Sequence, residues 1–487
     1  MTGPGSPPSA RALVFPLALA QFIASYAATN MNVAISTIAE DIGTSVTGIQ
    51  TTITLFTLTM ASLMIAGSKL TDIIGRKTCF MAGLIVYGAG ALLASLSQGL
   101  GLMIIGYSLL EGIGSALLIP PIYILITVAF TDVRQRAKYF GVVSGAAGLG
   151  AAAGPLIGGF ITSTISWRAS FILQVLVVVW ILLMSRKVAA VPRTGPRPSF
   201  DVTGAILSAA GMFFVVFGIL QSGTYGWLTS RADFVIGGAV VIPEGGISPV
   251  WLFVVIGALF LLWFFLHVRA REKAGKVPLI SLSLFRSRTS NLGLVTQNVQ
   301  WLTMQGSFFV ISVYLQQVWH YNAIQTGLML TPATIGILAS SAAAERFASR
   351  HPQRRMIRVG FLAMAVGMAL LLAFARETDA ILAYAPGLLL MGLGIGTMLT
   401  ASVNVVQSSF PEDEQDDISG LSRSVSNLGS SLGTALAGSV IVAASFPGGQ
   451  PYALALTTLV VISLLGLAAA MFLPREQHAK ETPSTAA

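Results

Sequence analysis

Apolar runs of about twenty residues recur along the whole 487-residue chain, each set off from the next by a short polar loop. Wound as an α-helix, such a run rises ~30 Å, the depth of the hydrocarbon layer of a bilayer. The composition points the same way. Hydrophobic residues make up 54% and charged residues 10%, with a mean hydropathy of +0.79, whereas a soluble domain carries about 25% charge. The expected fold class is an all-α polytopic membrane protein.

Fourteen spans can be counted. Six lie at 13–37, 47–70, 78–97, 101–124, 139–162 and 169–185; two follow at 203–222 and 249–268. The last six are 290–316, 325–345, 357–375, 381–408, 419–444 and 452–473. This gives a 6+2+6 order: a tail (1–12), a six-helix half (13–186), a linker carrying two extra helices (187–289), a second half (290–474) and a tail (475–487). With the N-terminus placed inside, 23 of the 28 Lys and Arg residues fall in alternate loops and tails, and only Arg168, Arg231 and Arg376 fall opposite. Lys69 and Arg423 lie at span ends. Basic loops stay in the cytoplasm, so both termini are expected there, in a protein of the cell membrane.

The same distribution accounts for the net charge of +9 without a nucleic-acid partner, because the charge is scattered between spans. The single cysteine, Cys79, excludes an internal disulfide or a multi-cysteine metal site, and the four histidines lack ligand spacing. No nucleotide-binding loop, G-x-S-x-G or His/Cys/carboxylate cluster occurs, so no enzyme, metal or cofactor is expected. Energy would come from an ion gradient or from the substrate's own gradient.

Two loops depart from the pattern. In 223–248, the stretch from Asp233 to Pro243 places two β-rich runs around Gly237-Gly238, which predicts a small extracellular β-hairpin between spans seven and eight. An irregular loop on the bilayer surface is the alternative. Pro411 to Asp417 is acidic although it falls on the inner side. It reads first as a solvated turn favouring the next helix's N-terminus, and second as an ion-pair latch to a basic loop.

Span four contains Glu111, ten residues into an apolar run and so ~15 Å deep. An ionised side chain at that depth costs at least about 2.5–3.5 kcal/mol, so Glu111 should face a polar cavity or carry a proton. Two other spans carry polar stripes. Gln21, Ser25, Thr29 and Asn32 share one face of span one; Gln297, Trp301 and Gln305 share one face of span nine. Because these spans are equivalent in the two halves, both stripes are read as cavity-lining, with interhelical hydrogen bonding as the alternative. Amides, aromatics and one carboxyl suit amphipathic organic molecules, including ones with a cationic centre drawn to Glu111. Strongly anionic substrates would want an arginine at mid-depth, and none is read there.

Several motifs carry a resemblance. Between spans two and three the chain reads Gly67-Ser68-Lys69-Leu70-Thr71-Asp72-Ile73-Ile74-Gly75-Arg76-Lys77. This is similar to the signature loop of the major facilitator superfamily, G-x-L-a-D-r-x-G-r-k, apart from Ser68 at a glycine position. In span five, Gly150, Gly154 and Gly158 form a groove for a neighbouring helix, with Pro155 as a kink and Gly159 beside it. G-x-x-x-G-P-x-x-G-G resembles the antiporter motif, and with fourteen spans the likeness narrows to the fourteen-spanner drug:proton antiporter family. Ser166-Trp167-Arg168 and Asp201-Val202-Thr203-Gly204 are similar to further landmarks, and Gly429 and Gly433 echo the span-five groove in the second half.

The resemblance implies a monomeric transporter of two six-helix halves that opens a central cavity alternately to each side of the bilayer and exchanges small amphipathic compounds for protons. The departures bear on the coupling. Ala27 stands where the family carries a span-one aspartate, and Ser36 stands at a proline position. Ser108 stands at the span-four arginine and Glu111 at a glutamine. Glu111 is therefore the expected proton and substrate coupling residue. A lipid or metabolite exporter without tight proton coupling is the alternative, followed by a non-transporting membrane protein that docks or senses through 223–248.

Overall fold

The computed structural model describes residues 10–130, 133–186, 200–236, 239–348, 351–374, 378, 380–410, 414–444 and 449–474. Helix α1 (Ala10–Asn30) passes through one 3-10 turn into α2 (Ile35–Asp41). Then come α3 (Val46–Ile74), α4 (Arg76–Ser95), and a continuous rod of α5 (Leu100–Met103), a π-helical stretch (Ile104–Glu111) and α6 (Gly112–Ala129). Helices α7 (Val133–Thr164) and α8 (Trp167–Ser185) complete a first group. Next are α9 (Val202–Tyr225), β1 (Phe234–Ile236), β2 (Ala239–Ile242) and α10 (Pro249–Lys273). A second group follows: α11 (Arg288–Gln317), α12 (Ala323–Met329), α13 (Thr331–Ala348), α14 (Gln353–Phe374), α15 (Ile381–Gln407), α16 (Gln415–Ala443) and α17 (Gln450–Met471).

Among the described residues eleven helices are long and apolar enough to cross a membrane, and thirteen spans result if two bent pairs, one within α7 and one formed by α12 and α13, each count once. The count of fourteen from the sequence exceeds this by α11. That helix is 30 residues long, but Gln297, Asn298, Gln300, Gln305, Gln316 and Gln317 lower its apolarity. The chain is a multi-pass helical membrane protein, and its outer surface carries Leu176, Trp180, Leu183, Trp263 and Leu266 exposed, as contact with acyl chains requires.

Starts and stops of the helices follow local chemistry. Ser45, Ser166, Asp201, Ser248, Ser287 and Asn322 each cap a helix by accepting a backbone N–H. Gly75 separates α3 from α4 at φ +97°, a conformation that L side chains rarely adopt.

Small residues set the packing inside each group. A Cβ on Gly150 would lie 2.2 Å from the Phe22 carbonyl oxygen, and one on Gly154 would lie 2.0 Å from Thr29 Oγ1, so α7 rests directly on α1. Gly158 meets Asn30. The second group repeats this: a Cβ on Gly429 or Gly433 of α16 would lie 2.3 or 2.2 Å from the carbonyl oxygen of Asn298 or Leu302 on α11. The two groups meet along α3 with α16, and α7 with α12 and α13.

Helices α9 and α10 pair through Gly211, Gly218 and Gly257 and through stacked Phe214 and Phe260. They lean on the α3–α16 seam through Leu207, Phe264 and Val268, which share a buried cluster with Ile65, Ile418 and Leu421. β1 and β2 pair antiparallel, with Val235 opposite Val240 and Ile236 opposite Ala239. Phe234 anchors them edge-on to Tyr225 and Phe253. The Gly237-Gly238 turn lies outside the described residues.

Asp201 holds the linker pair together. Its Oδ1 accepts from the Gly204 amide (3.0 Å) and from His267 Nε2 (2.9 Å), and its Oδ2 accepts from the Leu279 amide (3.2 Å) with Arg271 Nε at 3.5 Å. Burial acts to raise its pKa, but the Gly204 amide, His267 and Arg271 outweigh it and hold the carboxyl below the usual aspartate range. A depressed pKa means stability that is present above about pH 4 and lost as pH falls through the folded value. Asp201→Ala removes a cap and strands buried donors, a loss of about 2 kcal/mol or more. It should lower the melting midpoint of detergent-purified protein by several degrees. The charge-dependent gap between wild type and Asp201→Asn should close below about pH 4.

Candidate functional site

A cavity lies where the two groups face each other. From the first group it is lined by Gln21, Ala24, Ser25, Ala28 and Thr29 of α1, Thr57 and Met60 of α3, Ile119 of α6 and Ala151 of α7. The second group supplies Trp301 and Gln305 of α11 and Arg423, Ser426, Asn427 and Ser430 of α16. The polar stripe of α1 reaches the cavity because α7 comes close on its other side: Thr29 Oγ1 donates to the Ala151 carbonyl at 3.1 Å. Gln305 Nε2 donates to the Ala28 carbonyl at 3.3 Å, so α11 meets α1 across the cavity.

Five of the seven residues read as lining, Gln21, Ser25, Thr29, Trp301 and Gln305, stand around this space. Asn32 and Gln297 do not. Asn32 is buried and its carbonyl accepts from Gln316 at 3.0 Å. Gln297 is satisfied within the second group, donating to Ser426 Oγ (2.8 Å) and accepting from Ser422 Oγ (3.0 Å). The Gln297 side chain serves helix–helix hydrogen bonding, which the stripe pattern alone cannot distinguish from lining, whereas Asn32 is used through its backbone carbonyl.

Arg423 departs from the sequence reading, which placed it at a span end. Helix α16 begins at Gln415, so Arg423 sits ~12 Å along it, on the cavity wall. It donates to the Tyr123 hydroxyl, and its guanidinium carbon stands 4.9 Å from the Tyr123 ring centroid. A cation–π contact of this kind offsets part of the cost of holding the charge away from water.

Glu111 lies elsewhere. It closes the π-helical stretch, is fully buried inside the first group and is not on the cavity wall. Gly90 makes room for it: a Cβ there would come within 2.6 Å of the Glu111 amide. Neither carboxyl oxygen has a hydrogen-bond partner among the described residues. Around it runs a buried polar set. Tyr26 and Asn30 bond to Ser170 at 2.5 and 2.9 Å, Tyr87 bonds to Gln174, and Tyr107 donates to the Ala27 carbonyl at 3.0 Å. The carbonyl at the Ala27 position is thus used although the family acid is missing. Ser108, at the arginine position, donates to the Thr52 carbonyl at 2.8 Å.

Both ends of the seam are in contact. At the end where α1 begins, Lys69 pairs with Asp417 at 2.6 Å. Farther along the α3–α16 seam, level with the cavity, Ser424 and Ser431 of α16 donate to the carbonyls of Ala61 and Thr54 on α3. Asp417, from the acidic loop, thereby joins the signature-like loop to the second group; residues 411–413 lie outside the described ones. At the other end Gln316 and Gln317 bond to Asn32 and Ser36, and the Ile324 amide donates to Ser163 Oγ at 2.9 Å. There a Cβ on Gly159 would lie 2.5 Å from the Ala323 carbonyl, and one on Gly327 would lie 2.4 Å from that of Pro155. Asp72 is in the last turn of α3, with its side chain outside the described ones, while Arg76 and Lys77 open α4 and Lys77 Nζ reaches the Arg186 carbonyl at 3.1 Å.

Lys69 and Asp417 are each about one-fifth to one-quarter exposed. Such a pair contributes up to about 1 kcal/mol, enough to shift a two-state closure by up to about fivefold. Lys69→Glu should reduce transport by about twofold to fivefold, and the exchange Lys69→Glu with Asp417→Lys should restore it. Initial-rate flux in proteoliposomes measures both.

A family model described as Major Facilitator Superfamily matches residues 17–234, 234–434 and 293–487. Among curated proteins, the chain is similar to the puromycin resistance protein pur8 of Streptomyces alboniger, 28% identical over 429 residues, covering 88% of this chain and 80% of that one. It is 27% identical over 443 residues to the cephamycin export protein CmcT of Amycolatopsis lactamdurans, covering 90% and 85%. Among solved structures, the human organic anion transporter MFSD10 (TETRAN) superposes with a TM-score of 0.59 at 15% identity, covering 96% of this chain and all of that one. That likeness speaks to the fold alone.

Proposed function

The chain belongs to the major facilitator superfamily, and from that premise we propose that it exports amphipathic organic compounds of the drug or antibiotic type, in exchange for protons, by alternating access. The observation that carries this reading is the cavity itself. It lies between the two groups and is lined by amides, hydroxyls, an indole and one guanidinium, and the groups are in contact toward both ends of the seam. The names of the resistance and export proteins it resembles support the substrate type.

Under this proposal α11 is a crossing despite its polarity, giving fourteen spans. Both termini lie in the cytoplasm of a cell-membrane protein that works as a monomer, and Glu111 carries the exchanged proton. Glu111 couples to the cavity through the first group's packing, since it stands off the wall. Ala27 and Ser108 favour a second reading, a lipid or metabolite exporter without tight proton coupling, because both usual charges are replaced by neutral residues.

Growth of a drug-sensitive host on a panel of toxic amphiphiles, with and without the protein, tests export. Flux of a protective compound in proteoliposomes with and without an imposed pH gradient tests the coupling. Protection together with gradient-dependent flux is the expected result. Gradient-independent flux selects the second reading, and absence of both protection and flux overturns the proposal.

A further inference from the structure

Building on that efflux reading, we propose that the cavity selects amphipathic anions: an aromatic compound with one acidic group, held by Arg423. Among the described residues lining the cavity Arg423 is the one charged side chain. None of the described carboxylates pairs with it; Asp417, on the same helix, is engaged by Lys69, and Glu111 is sealed within the first group. The Tyr123 ring and hydroxyl stabilise the guanidinium without neutralising it, so the cavity carries a net positive charge. A guanidinium has five N–H donors, and a carboxylate meets two of them in parallel.

A second observation points to a ligand at the same place. Gln21 is 3% exposed and lies on the wall; its Nε2 reaches Ser25 Oγ at 3.4 Å, while its Oε1 has no partner among the described residues. A buried acceptor left without a donor is costly, and a hydroxyl of the substrate supplies one. Trp301 on the opposite group offers an apolar face for the aromatic body. The expected attraction of a cationic centre to Glu111 is thereby reversed: the acid is out of reach and the accessible charge is positive.

Three compounds on one anthraquinone body test this in proteoliposomes: the 2-carboxylate, the 2-carboxamide and a 2-(trimethylammonio)methyl derivative. For the wild-type protein the carboxylate should exceed the other two in kcat/KM by about tenfold, after subtraction of flux through empty liposomes. In Arg423→Gln the ratio of carboxylate to carboxamide should collapse toward one, and Arg423→Lys, which keeps the charge but not the fork, should retain an intermediate ratio. Raised salt should compress the wild-type ratio if charge is its origin, a readout that needs no variant. Carboxamide transport with no preference for the anion, or an undiminished preference in Arg423→Gln, would overturn the inference while leaving efflux standing. Movement of none of the three, in a preparation that also gives no protection to cells, would remove the efflux reading and this inference together.

Discussion

Glu111→Gln should uncouple the transporter: export driven uphill by a pH gradient should fall at least about tenfold, to the level seen without a gradient, while downhill equilibration of a neutral substrate survives. The carboxyl is fully buried and neither oxygen has a partner among the described residues; Tyr87 and Tyr107 are engaged with Gln174 Oε1 and with the carbonyls of Ile23 and Ala27, and Gln174 Nε2 is an uncharged donor left without a partner among them. A charge placed there in the present arrangement would be uncompensated, so its appearance must accompany a rearrangement of the first group. Glutamine has nearly the same shape and cannot take part in that exchange, which makes the fold a poor explanation for any loss. Gradient-driven flux in Glu111→Gln equal to wild type would remove Glu111 from the coupling machinery.

The second large effect concerns α7 against α1. Gly150→Leu places a branched side chain where a Cβ alone would come within 2.2 Å of the Phe22 carbonyl oxygen, an atom that cannot swing aside. Overpacking of this kind costs about 1–3 kcal/mol or more. It would also push the cavity-lining stripe of α1 out of place, because Thr29 is held by the Ala151 carbonyl. Loss of a monodisperse peak in size-exclusion chromatography, with transport reduced to background, is the expected result. Gly145→Leu is the matched control: the same helix offers nothing within 4 Å at that position, and the protein should remain monodisperse. Equal behaviour of the two variants would contradict the α1–α7 packing.

Much of this arrangement is legible in the sequence, for reasons that differ by element. The order of helices follows from apolar runs, because a membrane leaves a backbone few alternatives. Helix α11, counted from the sequence as the span 290–316, falls outside the set of sufficiently apolar helices because amides along it lower its apolarity. The glycine grooves are legible because only glycine permits backbones to approach so closely. Site residues are harder. A period of three to four residues identifies a face but not the neighbour that covers it, which is why Asn32 and Gln297 shared their stripes with true lining residues. Arg423 is not read as lining because it lies near the end of its apolar run, and nothing in hydropathy says that the cavity reaches that end of α16, which begins at Gln415. Glu111 is legible as mid-depth and costly, yet nothing in its spacing says whether it faces the space between the groups or the interior of one.

The π-helical stretch Ile104–Glu111 bears on how this helix tolerates changes of length. Its hydrogen bonds reach back one residue farther than those of an α-helix, so it absorbs a surplus residue between Met103 and Gly112 without turning the segments on either side. Removing one residue inside the stretch lets the rod close as plain α-helix, with Ile119 still presented to the cavity and Tyr123 to Arg423. The same removal beyond Gly112 rotates everything after it by ~100° and carries Tyr123 away from Arg423. Along this rod, length is negotiable at one place only, and Glu111 stands at its edge.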